Sequence, residues 1–147
     1  MFRVIDWRKH LMGVLLTLAT LVVLSDLGSG SHNSDHNAYK VREVDASGAK
    51  ALVDAGALVI DVRGQTQFDV RHIPGAILIT IEELRAGIPA KLVAEAKDRP
   101  ILVYCNKGLE HGPEGAAILN QAGFAGAVNL NGGIQGWAGA GYPVQKS

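Results

Sequence analysis

The sequence of 147 residues contains a single cysteine, Cys105, and no excess of charge of either sign. One cysteine excludes an intramolecular disulfide. The chain thus differs from most small exported domains, which contain even numbers of cysteines joined in pairs. The 14 basic residues balance 14 acidic ones, so the charge indicates neither a nucleic acid nor an anionic membrane surface as partner. The chain is 48% hydrophobic, which suits one globular domain with a short additional segment.

Long uncharged apolar runs are also scarce, and one of them, Leu11–Leu24, lies near the start of the chain. As a helix this run would span about 21 Å, less than the roughly 30 Å of a bilayer core. It follows a basic start, and Val23 and Ser25 allow cleavage after Ser25, as in a secretory signal. Residues 1–25 are therefore expected to be a signal peptide or, if uncleaved, a membrane anchor, which predicts a periplasmic or other extracytoplasmic domain. A core helix of a cytosolic protein is the remaining alternative.

Residues 26–38 are polar, rich in glycine and serine, and without periodicity, which predicts a flexible linker. His32, Asp35 and His36 could together bind a metal ion. A solvated linker is the favoured interpretation, because nothing rigid holds these ligands in place.

From Tyr39 onward, short apolar runs alternate with helical segments. The runs predict strands at 39–44, 57–60, 76–80, 101–104 and 127–130. Helices are predicted at 49–55, at 82–96 with a break near 87–89, at 113–121 and after the glycines at 132–133. Continuous apolar strands indicate a sheet covered on both faces. The order predicts an α/β domain over residues 39–147 with a mainly parallel sheet.

Cys105 lies between an apolar strand and a glycine-containing loop that leads into a helix. Ligands of parallel sheets bind at this edge, where the strands end. Loop N–H groups and a helix N-terminus can stabilise negative charge on sulfur, and the thiolate is the reactive form of cysteine. A lone cysteine is often an inert core residue, but this position and the expected export favour a reactive thiol.

Asp61 and Arg63 follow the second strand and are expected at the same edge of the sheet. They are interpreted either as a buried pair that caps its own loop or as a pair that braces the Cys105 loop from behind. The segment 72–75 predicts a structured turn rather than a catalytic histidine. Trp137 and the glycines before it are expected to serve packing and turn formation. No metal site and no cofactor is predicted in the domain.

Four motifs occur in order: V-I-D-V-R at 59–63, H-I-P-G-A at 72–76, Y-C-N-K-G at 104–108 and L-N-G-G-I-Q-G-W at 130–137. Their order and spacing resemble the rhodanese (sulfurtransferase) domain over residues 41–144, most closely its small, single-domain exported form. The resemblance implies a five-stranded parallel sheet with helices on both faces, and Cys105 as the nucleophile that carries sulfur. It also implies that backbone N–H groups of one loop bind the substrate; its residues are Asn106, Lys107, Gly108, Leu109, Glu110 and His111.

The implied reaction moves a sulfane sulfur from thiosulfate or a similar small donor to cyanide or a thiol, through a persulfide on Cys105. The acceptor could also be a protein, whereas no nucleic acid is expected. An ionised thiol needs no general base, so the site requires stabilisation of an anion rather than a catalytic triad.

The loop departs from the family pattern near its end, where a basic residue and a small hydroxyl residue are usual. Glu110 and His111 occupy these positions, and Lys107 is the loop residue with a permanent positive charge. A carboxylate about 6 Å from a dianion would cost roughly 2 kcal/mol per unit charge, unless Glu110 points to solvent. Two alternatives follow: a persulfide-carrying module that turns over thiosulfate poorly, and, less favoured, a cysteine phosphatase or arsenate reductase.

Overall fold

The structure is a computed structural model that describes residues 38–96 and 98–147. The predicted signal segment, nearly all of the predicted linker and the candidate ligands His32, Asp35 and His36 lie outside the described residues. Within the described ranges, no helix is both long and apolar enough to cross a membrane.

Strands and helices alternate along the described chain. The strands are β1 (Glu43–Val44), β2 (Leu58–Asp61), β3 (Ile77–Leu78), β4 (Ile101–Tyr104) and β5 (Val128–Leu130). The helices are α1 (Ala46–Asp54), α2 (Gln65–Val70), α3 (Ile81–Ala86), α4 (Ala90–Glu95), α5 (His111–Gln121) and α6 (Gly133–Gly139).

The five strands form one sheet in the order β1-β5-β4-β2-β3, and every pairing is parallel. The predicted α/β class with a five-stranded sheet is thereby confirmed, and the sheet is parallel throughout rather than mainly so. In the centre, β2 and β4 pair over four residues, from Leu58 opposite Ile101 to Asp61 opposite Tyr104. Because the strands are parallel, the segments that follow β2, β4 and β5 emerge at the same edge.

Helices cover both faces of the sheet, as predicted. On one face, alternate strand side chains such as Ile60 and Val103 pack with α3, α4 and α5. On the other face, Val59, Leu102 and Tyr104 pack with α1 and α6. Both faces are closed by apolar contacts, which explains why β2 and β4 are buried along their whole length.

Helix α2 was not predicted from the sequence. None of its residues is buried, and the residue before it, Gly64, makes no side-chain capping bond. The segment therefore has neither an apolar face nor a capping side chain to identify it.

Other differences concern element boundaries. The predicted 39–44 strand shortens to β1, which pairs only with β5 over two residues. The break predicted near 87–89 in the 82–96 helix is confirmed: α3 ends at Ala86, before Gly87 with φ +146°, and α4 begins at Ala90. Helix α5 begins at His111, two residues before the predicted start, because proline at 113 is compatible with a first helical turn.

Candidate active site

Cys105 is the first residue after β4 and forms the floor of a cleft at the carboxyl edge of the sheet. Its side chain is nearly buried, with 7% of the residue exposed. The backbone N–H of Gly108 donates a hydrogen bond to Sγ, with an N···S distance of 3.2 Å. The thiol thus has a donor aimed at it and is open to solvent only through the cleft.

Gly108 is required at its position for two reasons. Its φ is +75°, a conformation that side chains other than glycine rarely adopt. A Cβ atom there would also overlap the carbonyl oxygen of Leu130 and lie 2.8 Å from the nitrogen of Gly132. The backbone at residue 108 therefore lies directly against the end of β5 and the turn that follows it, and only glycine fits there.

The N-terminus of α6 holds the start of the loop. The N–H of Ile134 donates to the carbonyl of Cys105 at 3.0 Å, and the N–H of Gln135 donates to the carbonyl of Asn106 at 3.2 Å. In a trans peptide the C=O and the N–H point in opposite directions. These two bonds therefore turn the N–H groups of Asn106 and Lys107 away from α6, where no acceptor among the described residues binds them and a ligand can.

The cleft has a volume of about 570 Å³. It contains the predicted residues Cys105, Asn106, Lys107, Leu109, Glu110 and His111, while Gly108 lies beneath it, against β5. Other residues that line it come from distant segments: Val62, Arg63, Gly64, Gln67, Ile81 and Glu82. Helices α2 and α3 thus complete a wall that sequence reasoning did not foresee.

The charges around the cleft are mixed. Glu82 and Glu110 bring two carboxylates to the lining, and both side chains are exposed. Lys107 brings an exposed ammonium group, and Arg63 is already paired with a carboxylate. The cleft is therefore not a strongly cationic site.

Asp61 and Arg63 form a buried ion pair at the end of β2, with Nη2 of Arg63 and Oδ2 of Asp61 2.6 Å apart. Asp61 also accepts the N–H of Arg63, and Nη2 donates to the carbonyl of Arg71 at 2.7 Å. Burial lowers the pKa of Arg63, but hydrogen bonding and charge from Asp61 outweigh it, so the pKa lies above its usual value.

The pair organises its own loop and also reaches the cleft, which Arg63 lines. Within the described chain, no side-chain hydrogen bond joins it to residues 106–111. That it braces the Cys105 loop therefore stays a prediction.

The turn that begins at His72 is held away from the cleft. His72 is 3% exposed, its ring stacks on Phe68 at 3.9 Å, and Nδ1 lies 2.9 Å from the carbonyl of Phe68. Nε2 lies 2.8 Å from the side-chain nitrogen of Gln145. Both ring nitrogens are thus engaged in holding the turn.

Tyr104 fixes the same turn from the sheet, because its hydroxyl accepts the N–H of Ile73 at 3.1 Å. Burial, with the nearby charge of Asp61, raises the pKa of the Tyr104 phenol, so it stays neutral. Trp137 is buried and donates from Nε1 to the carbonyl of Pro143 at 2.8 Å.

One residue of the site was missed entirely. Asn129, in the middle of β5, is fully buried and donates from Nδ2 to the carbonyl of Gly108 at 2.9 Å. The signal available in the sequence was a polar amide inside the apolar run 127–130. Among residues 38–96 and 98–147, no cluster of potential ligands is suited to a metal ion.

Comparison with known proteins adds a family match. Residues 45–140 match the family described as Rhodanese-like domain. The chain is 33% identical over 117 residues to the probable adenylyltransferase/sulfurtransferase MoeZ of Mycobacterium tuberculosis, covering 80% of this chain but 28% of that protein. It therefore spans less than a third of this relative.

Two further relatives differ in how much of their length is matched. A protein named sulfurtransferase from Allochromatium vinosum is 30% identical over 106 residues, which cover 71% of this chain and 94% of that protein. The crystal structure of a thiosulfate sulfurtransferase from Pseudomonas aeruginosa superposes with a TM-score of 0.56 at 26% identity, covering 72% of this chain and 20% of that one.

Proposed function

Because this chain belongs to the family of rhodanese-like domains, we propose that it is an exported sulfurtransferase that carries a sulfane sulfur on Cys105. The observation that carries the proposal is the 3.2 Å hydrogen bond from the N–H of Gly108 to Sγ at the floor of the cleft. A donor aimed at the sulfur favours an anion there, and both the thiolate and the persulfide are anions.

The reaction balances with small sulfur compounds alone. The Cys105 thiolate attacks the outer sulfur of thiosulfate; a new S–S bond forms, the S–S bond of the donor breaks, and sulfite leaves with the electron pair. Cyanide or a thiolate then attacks the terminal sulfur of the Cys105 persulfide and releases the thiolate. The free N–H groups of Asn106 and Lys107 are suited to the oxygens of such a donor.

The test is the mass of the intact protein after incubation with thiosulfate. We expect the addition of one sulfur atom, its removal by cyanide as thiocyanate, and no addition to Cys105→Ser. Sulfur uptake or thiocyanate formation by the serine variant would refute the role of Cys105. A phosphatase assay on the same samples is expected to show no turnover.

A second function is favoured by Glu82 and Glu110 in the cleft lining. Carboxylates near the thiol disfavour a dianionic donor, so the domain could accept sulfur from a protein or from a small persulfide and hold it for transfer. Comparing the rate of Cys105 persulfide formation from thiosulfate and from cysteine persulfide separates the two. Efficient loading by cysteine persulfide, with poor loading by thiosulfate, identifies a persulfide carrier.

Export is the part of the proposal that rests on the sequence of residues 1–25. Cell fractionation is expected to find the protein outside the cytosol, either as a mature form beginning near Asp26 or held at the membrane by an uncleaved segment. A protein recovered from the cytosol with Met1 intact would contradict both forms.

A further inference from the structure

Asn129 is a buried polar side chain beneath the Cys105 loop, and the reaction described above gives it no role. The neighbouring side chains in β5, Val128 and Leu130, belong to the core on the α1 and α6 face. Asn129 is 0% exposed, and its Oδ1 has no hydrogen-bond partner among the described residues. An apolar side chain of similar volume would avoid this unpaired carbonyl. The reason for an amide at this position therefore lies in its two N–H donors.

Both donors of Asn129 are used. Nδ2 lies 2.9 Å from the carbonyl oxygen of Gly108 and 3.0 Å from Oε1 of Glu43. Because both partners are acceptors, the opposite orientation of the amide would place Oδ1 against two oxygens. Glu43 is also the residue opposite Asn129 in the pairing of β1 with β5. The carboxylate on the adjacent strand thus fixes the amide that holds Gly108.

The amide contacts the middle of the loop and the helix that follows it. It binds Gly108, and a Cβ atom on Gly112 in α5 would overlap Oδ1 of Asn129. The first turn of α5 therefore packs directly on the amide group. Asn129 thus lies between Gly108 and the first turn of α5 and contacts both.

The hydrogen bond from Asn129 to Gly108 orients two N–H groups near Sγ of Cys105, those of Gly108 and Leu109. Residue 108 donates its N–H to Sγ and its carbonyl accepts from Asn129, so both sides of this residue are fixed. Because C=O and N–H oppose each other in a trans peptide, the same bond turns the N–H of Leu109 away from β5. Asn129 therefore orients the peptide of residues 108–109 by binding its carbonyl, just as α6 orients the two peptides at the start of the loop.

We propose that Asn129 is a positioning residue for sulfur transfer: it sets the N–H of Gly108 at hydrogen-bond distance from Sγ and so stabilises the thiolate and the persulfide of Cys105. The inference rests on the proposed function for its effect on transfer rates. Its effect on the thiol itself does not depend on which sulfur donor the protein uses.

The test compares Asn129→Leu with Asn120→Leu. Asn120 makes a matched control, because its side chain also bonds backbone groups next to β5, at Gly126 and Ala127, before the strand begins. Three quantities are measured for each variant: the thermal midpoint, the rate of Cys105 alkylation by iodoacetamide across pH, and kcat and KM for the sulfur donor.

For Asn129→Leu we expect alkylation at neutral pH to slow by about tenfold or more and its pH profile to move to higher pH, since displaced donors stabilise the thiolate less. We expect kcat to fall by about tenfold or more with KM within about threefold of the parent. For Asn120→Leu we expect a lower thermal midpoint, with alkylation and kcat within about twofold of the parent.

An alkylation profile in Asn129→Leu that matches the parent would overturn the proposal, as would equal kinetic losses in the two variants. If the leucine variant does not fold, Asn129→Ser is measured in the same way. Its shorter side chain cannot reach the carbonyl of Gly108 and adds no bulk, and the pH profile of alkylation decides the outcome. If the parent takes up no sulfur from any donor, the proposed function fails, while the alkylation comparison still decides the role of Asn129.

Discussion

The segments that follow β2 and β4 leave neighbouring strands at the same edge of the sheet, yet they are held in opposite ways. After β2, charged side chains hold the segment in place: the Asp61 carboxylate binds Arg63, and Arg63 binds the carbonyl of Arg71. After β4, the bonds are made to backbone carbonyls instead: N–H groups of α6 bind two carbonyls of the loop, and the side-chain amide of Asn129 binds a third.

The difference shows where the protein keeps its free hydrogen-bond donors. In the segment after β2 the charges of Asp61 and Arg63 neutralise each other inside the fold. In the segment after β4 the carbonyls of Cys105, Asn106 and Gly108 are occupied, so the N–H groups of the same peptides are directed toward sulfur and substrate. A buried ion pair suits a structural loop, whereas oriented N–H groups suit a loop that binds anions.

The largest effect is expected from Gly108→Ala. The new Cβ would overlap the carbonyl of Leu130, and a φ of +75° disfavours alanine, so the loop must move. Loss of the N–H donor to Sγ should lower the rate of sulfur transfer by roughly 100-fold, as removal of one hydrogen-bond donor from the oxyanion hole of an enzyme does. Single-turnover transfer from thiosulfate measures it.

The matched control for this change is Gly75→Ala, which lies in the segment after β2. Gly75 has a similar φ of +78°, but no atom of residues 38–96 or 98–147 outside its immediate neighbours lies within 4 Å of an added Cβ. We expect a loss of about 1 kcal/mol in unfolding free energy and an unchanged transfer rate. Equal transfer rates in the two alanine variants would show that the Gly108 contact does not matter for the chemistry.

Asp61→Asn tests the other loop. It leaves the buried guanidinium of Arg63 without its charge partner, and breaking such a pair typically costs about 3–5 kcal/mol of unfolding free energy. We expect chemical denaturation to show a loss at the lower end of that range, with the transfer rate per folded molecule changed by less than about tenfold. A loss of rate far larger than this would mean that the pair acts on Cys105 chemistry as well.

Glu110→Arg sharpens the comparison within the cleft. If Glu110 faces the donor, reversing its charge removes a repulsion and adds an attraction, so KM for thiosulfate should fall by about 10- to 100-fold. High salt should remove most of the gain, and Glu110→Gln should recover about half of it in free-energy terms.

The control is Glu95→Arg, the same change on α4 at a residue that does not line the cleft. It should leave KM unchanged. If Glu110→Arg and Glu110→Gln also stay within about twofold of the parent, Glu110 points to solvent, and the persulfide-carrier function loses part of its support.

The smallest effect is expected at a surface pair, Arg85 with Glu114, whose two hydrogen bonds are each 2.8 Å long. The bonds from Arg85 hold the pKa of Glu114 below its usual value. The stabilisation is therefore complete above the unfolded pKa and is lost as the pH falls through the folded pKa.

Glu114→Gln should cost less than about 1 kcal/mol at neutral pH, because Arg85 is half exposed. The difference from the parent should disappear in acid, below the folded pKa of Glu114. Glu82→Gln is the control: it removes a 4.0 Å contact with Arg85 and a carboxylate in the first turn of α3, but neither of the two hydrogen bonds, and should cost less than Glu114→Gln. A difference that persists unchanged in acid would assign the effect to packing rather than charge.

Three features could be predicted from the amino-acid sequence: the alternation of strands and helices, the position of the thiol after β4 and the need for glycine close to it. These features depend on local patterns: apolar runs, glycines and a few capping residues, all read over short stretches of chain. The parallel sheet followed from them, because the order of strands and helices with short connections leaves few other arrangements.

The surroundings of the thiol could not be predicted in this way, because they depend on contacts between distant segments. Helix α2 has no buried face to predict it, yet Gln67 from this helix lines the cleft with Glu82 from α3. Asn129 reaches Gly108 across 21 positions of sequence, and Glu43 reaches Asn129 across 86. Such contacts form only when the strands assemble into the sheet, so no local sequence pattern predicts them. They determine which hydrogen-bond donors face the sulfur of Cys105.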